Sequence, residues 1–542
     1  MPLSETDLSI GRLLARAAAE HGEHTYLASP TARLTYAEAE RRSALAARRL
    51  LRDGVGKGTR VGLLFPNDVD WIVWWLAVSR IGALAVPLST LYPPAELGKV
   101  IRLADINVLV APPDILGTPT ADRLEAALPG LAETPTPLLS LPAAPYLRRI
   151  ALPGAAAEPS AATTALPADA TEPSAATTAP LGAAPRLWAD TTALDENAAL
   201  PPELLAAVEN EVTAADLAIM IHTSGSTADP KGVLHTHGTL VRQTAGWPAA
   251  ISALCGGSAA PRVFSSMPFF WIGGVLAATG ALHERVTLLV MPRPEPGAAL
   301  DLIERERGEG IVGWPAFTRR LREHPTFAER DLSAAPLLRD GPLDVALYNV
   351  PDEFPVHRSL SETAGSFLHT DIRIVDDEGH PVPEGTTGEL HIRGIGVMSG
   401  YNKRERHDVF DPDGWYHTGD RVYRLVDDPR LFYVGRTSEL IKVAGANVSP
   451  REVEAVVEGF DGVQQCLVVG VDDPDRGEQV CAVVVPDTVD VDAVAAHTRR
   501  ELSAYKVPTR WIRTTGERVP TLPSGKLDRR GLRALIADGT LG

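Results

Sequence analysis

The residues best suited to chemistry lie in the run Thr223-Ser224-Gly225-Ser226-Thr227-Ala228-Asp229-Pro230-Lys231-Gly232. The short apolar run Leu217-Ala218-Ile219-Met220-Ile221 precedes it and reads as a buried strand. Hydroxyls and glycines at a strand end make a loop whose N–H and O–H groups can converge on phosphate oxygens, and Lys231 adds a mobile positive charge. This is not the common P-loop, which ends in Gly-Lys-Ser/Thr and opens a helix. Here Pro230 precedes the lysine, and Val233 and Leu234 return to strand character. The alternative is a polar surface turn. Four hydroxyl residues, two glycines and a lysine in one short run weigh against it.

Three later segments join this run in order: Trp415-Tyr416-His417-Thr418-Gly419-Asp420, then Gly435-Arg436-Thr437-Ser438-Glu439-Leu440-Ile441-Lys442 running on to Gly445 and Pro450, then Leu522-Pro523-Ser524-Gly525-Lys526. Together they resemble the adenylate-forming enzymes: acyl-CoA synthetases, nonribosomal-peptide adenylation domains and firefly-type luciferases, with acyl-CoA ligases nearest. The resemblance implies a ligase that activates a carboxylic acid as acyl-AMP and passes the acyl group to CoA. ATP (or acyl-AMP), Mg²⁺ and CoA would be its small-molecule partners.

The resemblance also distributes roles. Thr223, Ser224, Gly225, Ser226, Thr227 and Lys231 would hold the β,γ end of ATP. In Arg358-Ser359-Leu360-Ser361-Glu362-Thr363-Ala364-Gly365, Glu362 would ligate Mg²⁺ and Ser361 would touch phosphate; the alternative is a solvent-facing helix start capped by Ser361. Asp420 would accept both ribose hydroxyls, a carboxylate having the lone pairs for a diol, and Arg436 would reinforce the ribose. Lys526 would bridge substrate carboxylate and α-phosphate in the first half-reaction. Lys442, Gly445 and Asn447 would enter in the second, Gly445 leaving room for the pantetheine arm. Trp271 and Gly273, within Met267-Pro268-Phe269-Phe270-Trp271-Ile272-Gly273-Gly274, and Trp314 are candidate walls of the acyl pocket, or simply core.

Some positions depart from the family pattern. Ser359 replaces an aromatic near adenine, Ala228 a loop glycine and Ser438 an Asp or Lys, and the segment from Pro315 to Glu362 is short. They motivate a variant reading in which the first half-reaction is lost and a partner adenylating enzyme supplies the acyl-adenylate. Loading of a carrier protein is a second alternative; no carrier domain follows before Gly542, so free CoA is the expected thiol. A non-catalytic binding protein is a third, opposed by the joint presence of Lys231, Glu362, Asp420, Arg436 and Lys526.

The elements that must position these residues follow from pattern. Arg33 to Glu38 resembles the family's first helix start, with Thr35 as N-cap; Arg60 to Phe65 and Leu84 to Leu88 read as buried strands, and residues 1–111 as alternating helix and strand. This implies a layered α/β domain with parallel strands. Ile72 to Leu88, broken by Arg80 and Pro87, reads as a core helix running into a strand and not as a membrane span. The N-terminus reads as an amphipathic helix, not a signal peptide. From about 150 to 182 the composition turns to Ala, Pro and Thr, and Glu158 to Ala165 recurs as Glu172 to Ala179. Such a segment lacks the apolar bulk to order itself and reads as an insertion. Pro450 to Val457 and Val491 to Leu502 read as helices, Leu467 to Val471 and Val480 to Val485 as strands. The expected fold is α/β, with a large layered domain over 1–435 and a small α+β domain over 437–542; the family resemblance implies a hinge joining them at Gly435–Arg436.

The 542 residues carry 52 basic and 69 acidic side chains, a net charge of −17, which weighs against nucleic acid or an anionic membrane as partner. Cys255, Cys466 and Cys481 have no metal spacing and suit a reducing cytoplasm.

Overall fold

The structure is a computed structural model that describes residues 8–153, 189–190, 200–223, 230–313, 315–341, 359–360, 370–426, 431–436, 440–443, 446–473, 477–502, 506–521 and 527–541. The chain divides into two compact units, Met1–Val241 with Arg262–Glu306, and Arg242–Pro261 with Arg307–Gly542. The division falls inside the span expected to form one large domain.

In the first unit the strands Leu217–Thr223, Leu84–Pro87, Arg60–Leu63, Val108–Val110, Arg149–Ala151 and Ala189–Asp190 lie side by side and parallel, and Lys231–Thr236 pairs antiparallel with Leu217–Thr223. The expected β–α–β alternation is present. The helix Val69–Arg80 is buried on almost every face, with Trp71 and Trp75 fully enclosed and stacked 5.5 Å apart. A helix without a polar face must be covered all round, which explains the membrane-like sequence of this stretch. Its terminal Arg80 is nearly buried and ion-paired with Glu40 and Glu209. The helix Tyr36–Arg52 starts as expected at Thr35, in a capping box with Glu38. The Ala/Pro/Thr segment begins later than expected: Arg149–Ala151 is a strand and Ile150 and Leu152 are buried. The bulk of that segment, 154–182, lies outside the described residues.

The second unit contains an antiparallel sheet of Thr370–Val375, Gly388–Gly394, Tyr416–Arg424 and Leu431–Arg436. It also contains the C-terminal α+β element. There Gln465–Asp473 pairs antiparallel with Gly477–Val485, and Arg510–Arg513 joins in parallel. Side chains alternate between two cores: Cys466, Val468, Val480, Ala482 and Val484 pack with Val453, Val457 and Val494. Leu467, Val469, Cys481, Val483 and Val485 pack with Leu532 and Ile536 on the other face. Helices Pro450–Glu458 and Val491–Glu501 cover one face and Arg529–Ala537 the other. Both faces of these strands are buried, so the strands read as unbroken apolar runs in the sequence.

Candidate functional site

The run expected to hold phosphate connects two paired antiparallel strands. Leu217–Thr223 runs buried beside Leu84–Pro87, and Thr223 pairs directly with Lys231 across the antiparallel ladder. The two described ends of the run are thus brought together, with Thr223 exposed and Lys231 half-buried. Ser224, Gly225, Ser226, Thr227 and Ala228 lie outside the described residues. Two histidines in these strands escaped the sequence reading. His222 and His235 are buried, and burial pushes each down to about 4. They are neutral at physiological pH and place no charge beside the loop.

Asp420 sits on the strand Tyr416–Arg424, directly opposite Arg436 in register, with Arg421 opposite Gly435. The pairing shifts on both sides of Gly419–Asp420, at Glu389/His391 toward one neighbour and at Arg421/Val422 toward the other. Such irregularities re-aim side chains out of the regular pleat. Gly419 has φ +71°, a conformation that costs glycine little. Its N–H donates to Glu389 Oε1 at 3.1 Å, while Thr418 Oγ1 donates to the Leu390 carbonyl at 2.7 Å and accepts from the Asp420 N–H at 3.0 Å. The Thr-Gly-Asp run is therefore held by its own hydroxyl and by a carboxylate from the next strand. Glu389 was missed from sequence because a single Glu within a strand carries no spacing signal. Trp415, just upstream, lies beneath the guanidiniums of Arg373 and Arg393, at 4.3 and 4.5 Å from the ring centre.

Lys442 and Asn447 are paired on the hairpin Ile441–Val443/Ala446–Val448, whose turn would carry Gly445, outside the described residues. Ser449 caps the helix Pro450–Glu458 by accepting from Glu452 N–H, and its hydroxyl donates to the Val434 carbonyl. Glu362, Ser361, Trp314 and Lys526 also lie outside the described residues.

The segment carrying Trp271 and Gly273 belongs to the first unit. Buried Asn67 clamps it, donating to the Met267 carbonyl and accepting from Phe269 N–H, both at 2.8 Å. Phe269 packs on Trp71 at 4.7 Å, so this aromatic is core. Trp271 precedes the helix Ile272–Gly280 and is only partly buried, edge-on to Phe270 at 5.6 Å. A Cβ at Gly274 would meet the Pro268 carbonyl at 2.3 Å, so the turn closes only around glycine; a Cβ at Gly273 would meet the mobile end of Met267.

A family model described as AMP-binding enzyme matches residues 14–347 and 343–402, and one described as AMP-binding enzyme C-terminal domain matches 452–526. The chain belongs to the AMP-binding enzyme family. This AMP-binding enzyme is 28% identical over 526 residues to a feruloyl-CoA synthase of Amycolatopsis, covering 91% of this chain and 92% of the relative. It is 26% identical over 540 residues to the long-chain-fatty-acid–CoA ligase FadD13 of Mycobacterium tuberculosis, covering 93% of each. Among solved structures it resembles the anthranilate CoA ligase AuaEII in complex with anthranoyl-AMP, with TM-score 0.72, 19% identity and 99% and 100% coverage. It also resembles the amide bond synthetase McbA of Marinactinospora thermotolerans, with TM-score 0.69, 24% identity and 97% and 99% coverage. These similarities extend over nearly the whole chain, and the fold is that of a large N-terminal and a small C-terminal domain.

Proposed function

We propose that this AMP-binding enzyme is an AMP-forming acid–thiol ligase that converts a carboxylic acid to its acyl-CoA thioester. The observation that carries this reading is end-to-end similarity to CoA ligases, with family matches in both the large and the C-terminal regions.

A carboxylate is a poor acyl donor. In the first step its oxygen attacks the α-phosphorus of ATP, an O–P bond forms and pyrophosphate leaves. In the second the CoA thiolate attacks the acyl carbon, a C–S bond forms and AMP leaves, the thiol proton passing to solvent. Positive charge and N–H donors aimed at the phosphates stabilise the first step. Thr223 and Lys231 flank the loop suited to the β,γ-phosphates, and Lys526 is the proposed bridge to the α-phosphate. Asp420 and Arg436, opposite one another in the ladder, are the proposed ribose contacts. Lys442 and Asn447 present the hairpin proposed for the thioester step, and the hinge at Gly435–Arg436 is proposed to separate the two steps. Glu362 is the residue that would hold Mg²⁺, which would offset phosphate charge. The reducing cytoplasm remains the proposed compartment. Among the described residues no helix is long and apolar enough to cross a membrane.

Incubating the enzyme with ATP, Mg²⁺, CoA and a panel of aromatic and aliphatic acids, then weighing the products by mass spectrometry, tests the reading. An acyl-CoA and AMP are expected; acyl-adenylate that never reaches CoA would refute the thiol assignment.

A further inference from the structure

We propose that Glu389, His391 and His417 form a binding site for a divalent transition-metal ion of the Zn²⁺ class, separate from the Mg²⁺ assigned to Glu362. Glu389 and His391 are on the strand Gly388–Gly394, and His417 is on the adjacent strand Tyr416–Arg424, directly opposite His391 in register. One ligand atom from each lies within 4.8 Å of the others. Glu389 Oε1 and His391 Nε2 are 3.7 Å apart, near the roughly 3.4 Å expected for two donors on one tetrahedral ion with bonds of about 2.1 Å. The two imidazoles stack with centres 3.8 Å apart and planes 12° apart; a ring nitrogen's lone pair lies in its ring plane, so joint ligation turns exposed His417 out of the stack toward the ion.

The surroundings decide which ring atoms remain for the metal. His417 Nε2 faces Asp411 Oδ2 at 3.4 Å, so a proton held there leaves Nδ1 to ligate, with Asp411 as the carboxylate behind the ring. His391 Nδ1 accepts from Arg373, whose Nη2 also donates to Asp411 at 3.2 Å. Ligation through His391 Nε2 therefore moves its proton to Nδ1 and displaces Arg373 from that atom. The guanidinium competes with the metal, and its removal favours binding. Two imidazoles and one carboxylate are a donor set for Zn²⁺ and its neighbours, unlike the all-oxygen set Mg²⁺ prefers. His417 is 53% exposed, which gives an ion a way in.

The test is Zn²⁺ titration of the metal-free full-length protein against a chromophoric chelator, without nucleotide, acid or CoA. Its outcome is independent of whether the ligase reading holds. One tightly bound equivalent is expected. His391→Gln and His417→Gln should each weaken it about tenfold or more, and Arg373→Gln should tighten it. Glu389→Gln keeps an oxygen for the Gly419 N–H but loses the anionic ligand. Its binding should weaken while its melting temperature stays within a degree or so of wild type, separating a lost ligand from a lost fold. Wild-type affinity retained in the His391→Gln/His417→Gln double variant, or no binding by the wild type, overturns the proposal.

Discussion

At the scale of residues, the paired positions carry the account. Asp420 stands opposite Arg436, and Thr418, Glu389 and Gly419 fix the backbone just before it. Charged hydrogen bonds of the kind proposed to the ribose contribute about 1.5–3 kcal/mol each. Asp420→Ala should therefore raise the KM for ATP by roughly tenfold to a hundredfold, read from initial rates of AMP release; an unchanged KM would remove Asp420 from the nucleotide site. The buried histidines make a second prediction. His222 and His235 titrate near 4 in the folded protein against about 6.5 when unfolded. The unfolded chain binds more protons between these values, so the stability of keeping them neutral is present above about pH 6.5 and is lost as pH falls toward 4. Thermal melts from pH 7 to 4.5 should show a falling midpoint, with a shallower fall in His235→Leu. Equal slopes for variant and wild type would contradict the assignment. The motifs carrying Thr223, Lys231 and Asp420, the proposed site residues, stand out in the sequence because several chemical types occur together at fixed spacing. Glu389, Asn67 and Asp411 do not, since each acts through contacts made only by the fold.

At the scale of elements, periodicity was most informative where one environment dominates. The strands Gln465–Asp473 and Gly477–Val485 and the helix Val69–Arg80 announce themselves by continuous apolar runs, because every face is covered. The start of the Ala/Pro/Thr segment was misplaced, because the run Ile150-Ala151-Leu152 is only three residues long and passes directly into Pro153, Gly154 and alanines, so only the neighbouring strand reveals its burial. Long-range ion pairs leave no local trace either. Arg529, at the start of the last helix, donates to fully buried Glu454 on the helix Pro450–Glu458, with contacts of 2.7 and 3.0 Å, and Glu454 also accepts from Val468 N–H at 2.8 Å. One carboxylate thus ties two helices and a strand together. Glu454→Gln leaves the guanidinium uncompensated and should cost about 3 kcal/mol, lowering the unfolding midpoint of the C-terminal element in calorimetry. The double change Glu454→Met/Arg529→Leu should recover most of the loss. A single variant melting with the wild type would show the pair to be dispensable.

At the scale of the whole molecule, the order of the motifs foretold the family, and the family foretold a large and a small domain. The division into compact units through 241–262 and 306–307 was invisible in sequence, because no linker composition marks it. The central claim is that one chain carries both half-reactions, forming acyl-adenylate from acid and ATP and then delivering the acyl group to CoA. Acid-dependent exchange of labelled pyrophosphate into ATP, measured before CoA is added, tests it most directly. The account predicts rapid exchange with at least one acid that is then converted to its CoA thioester when CoA is supplied. No exchange with any acid, together with fast thioester formation from synthetic acyl-adenylate and CoA, would contradict it and assign the first half-reaction to a partner enzyme.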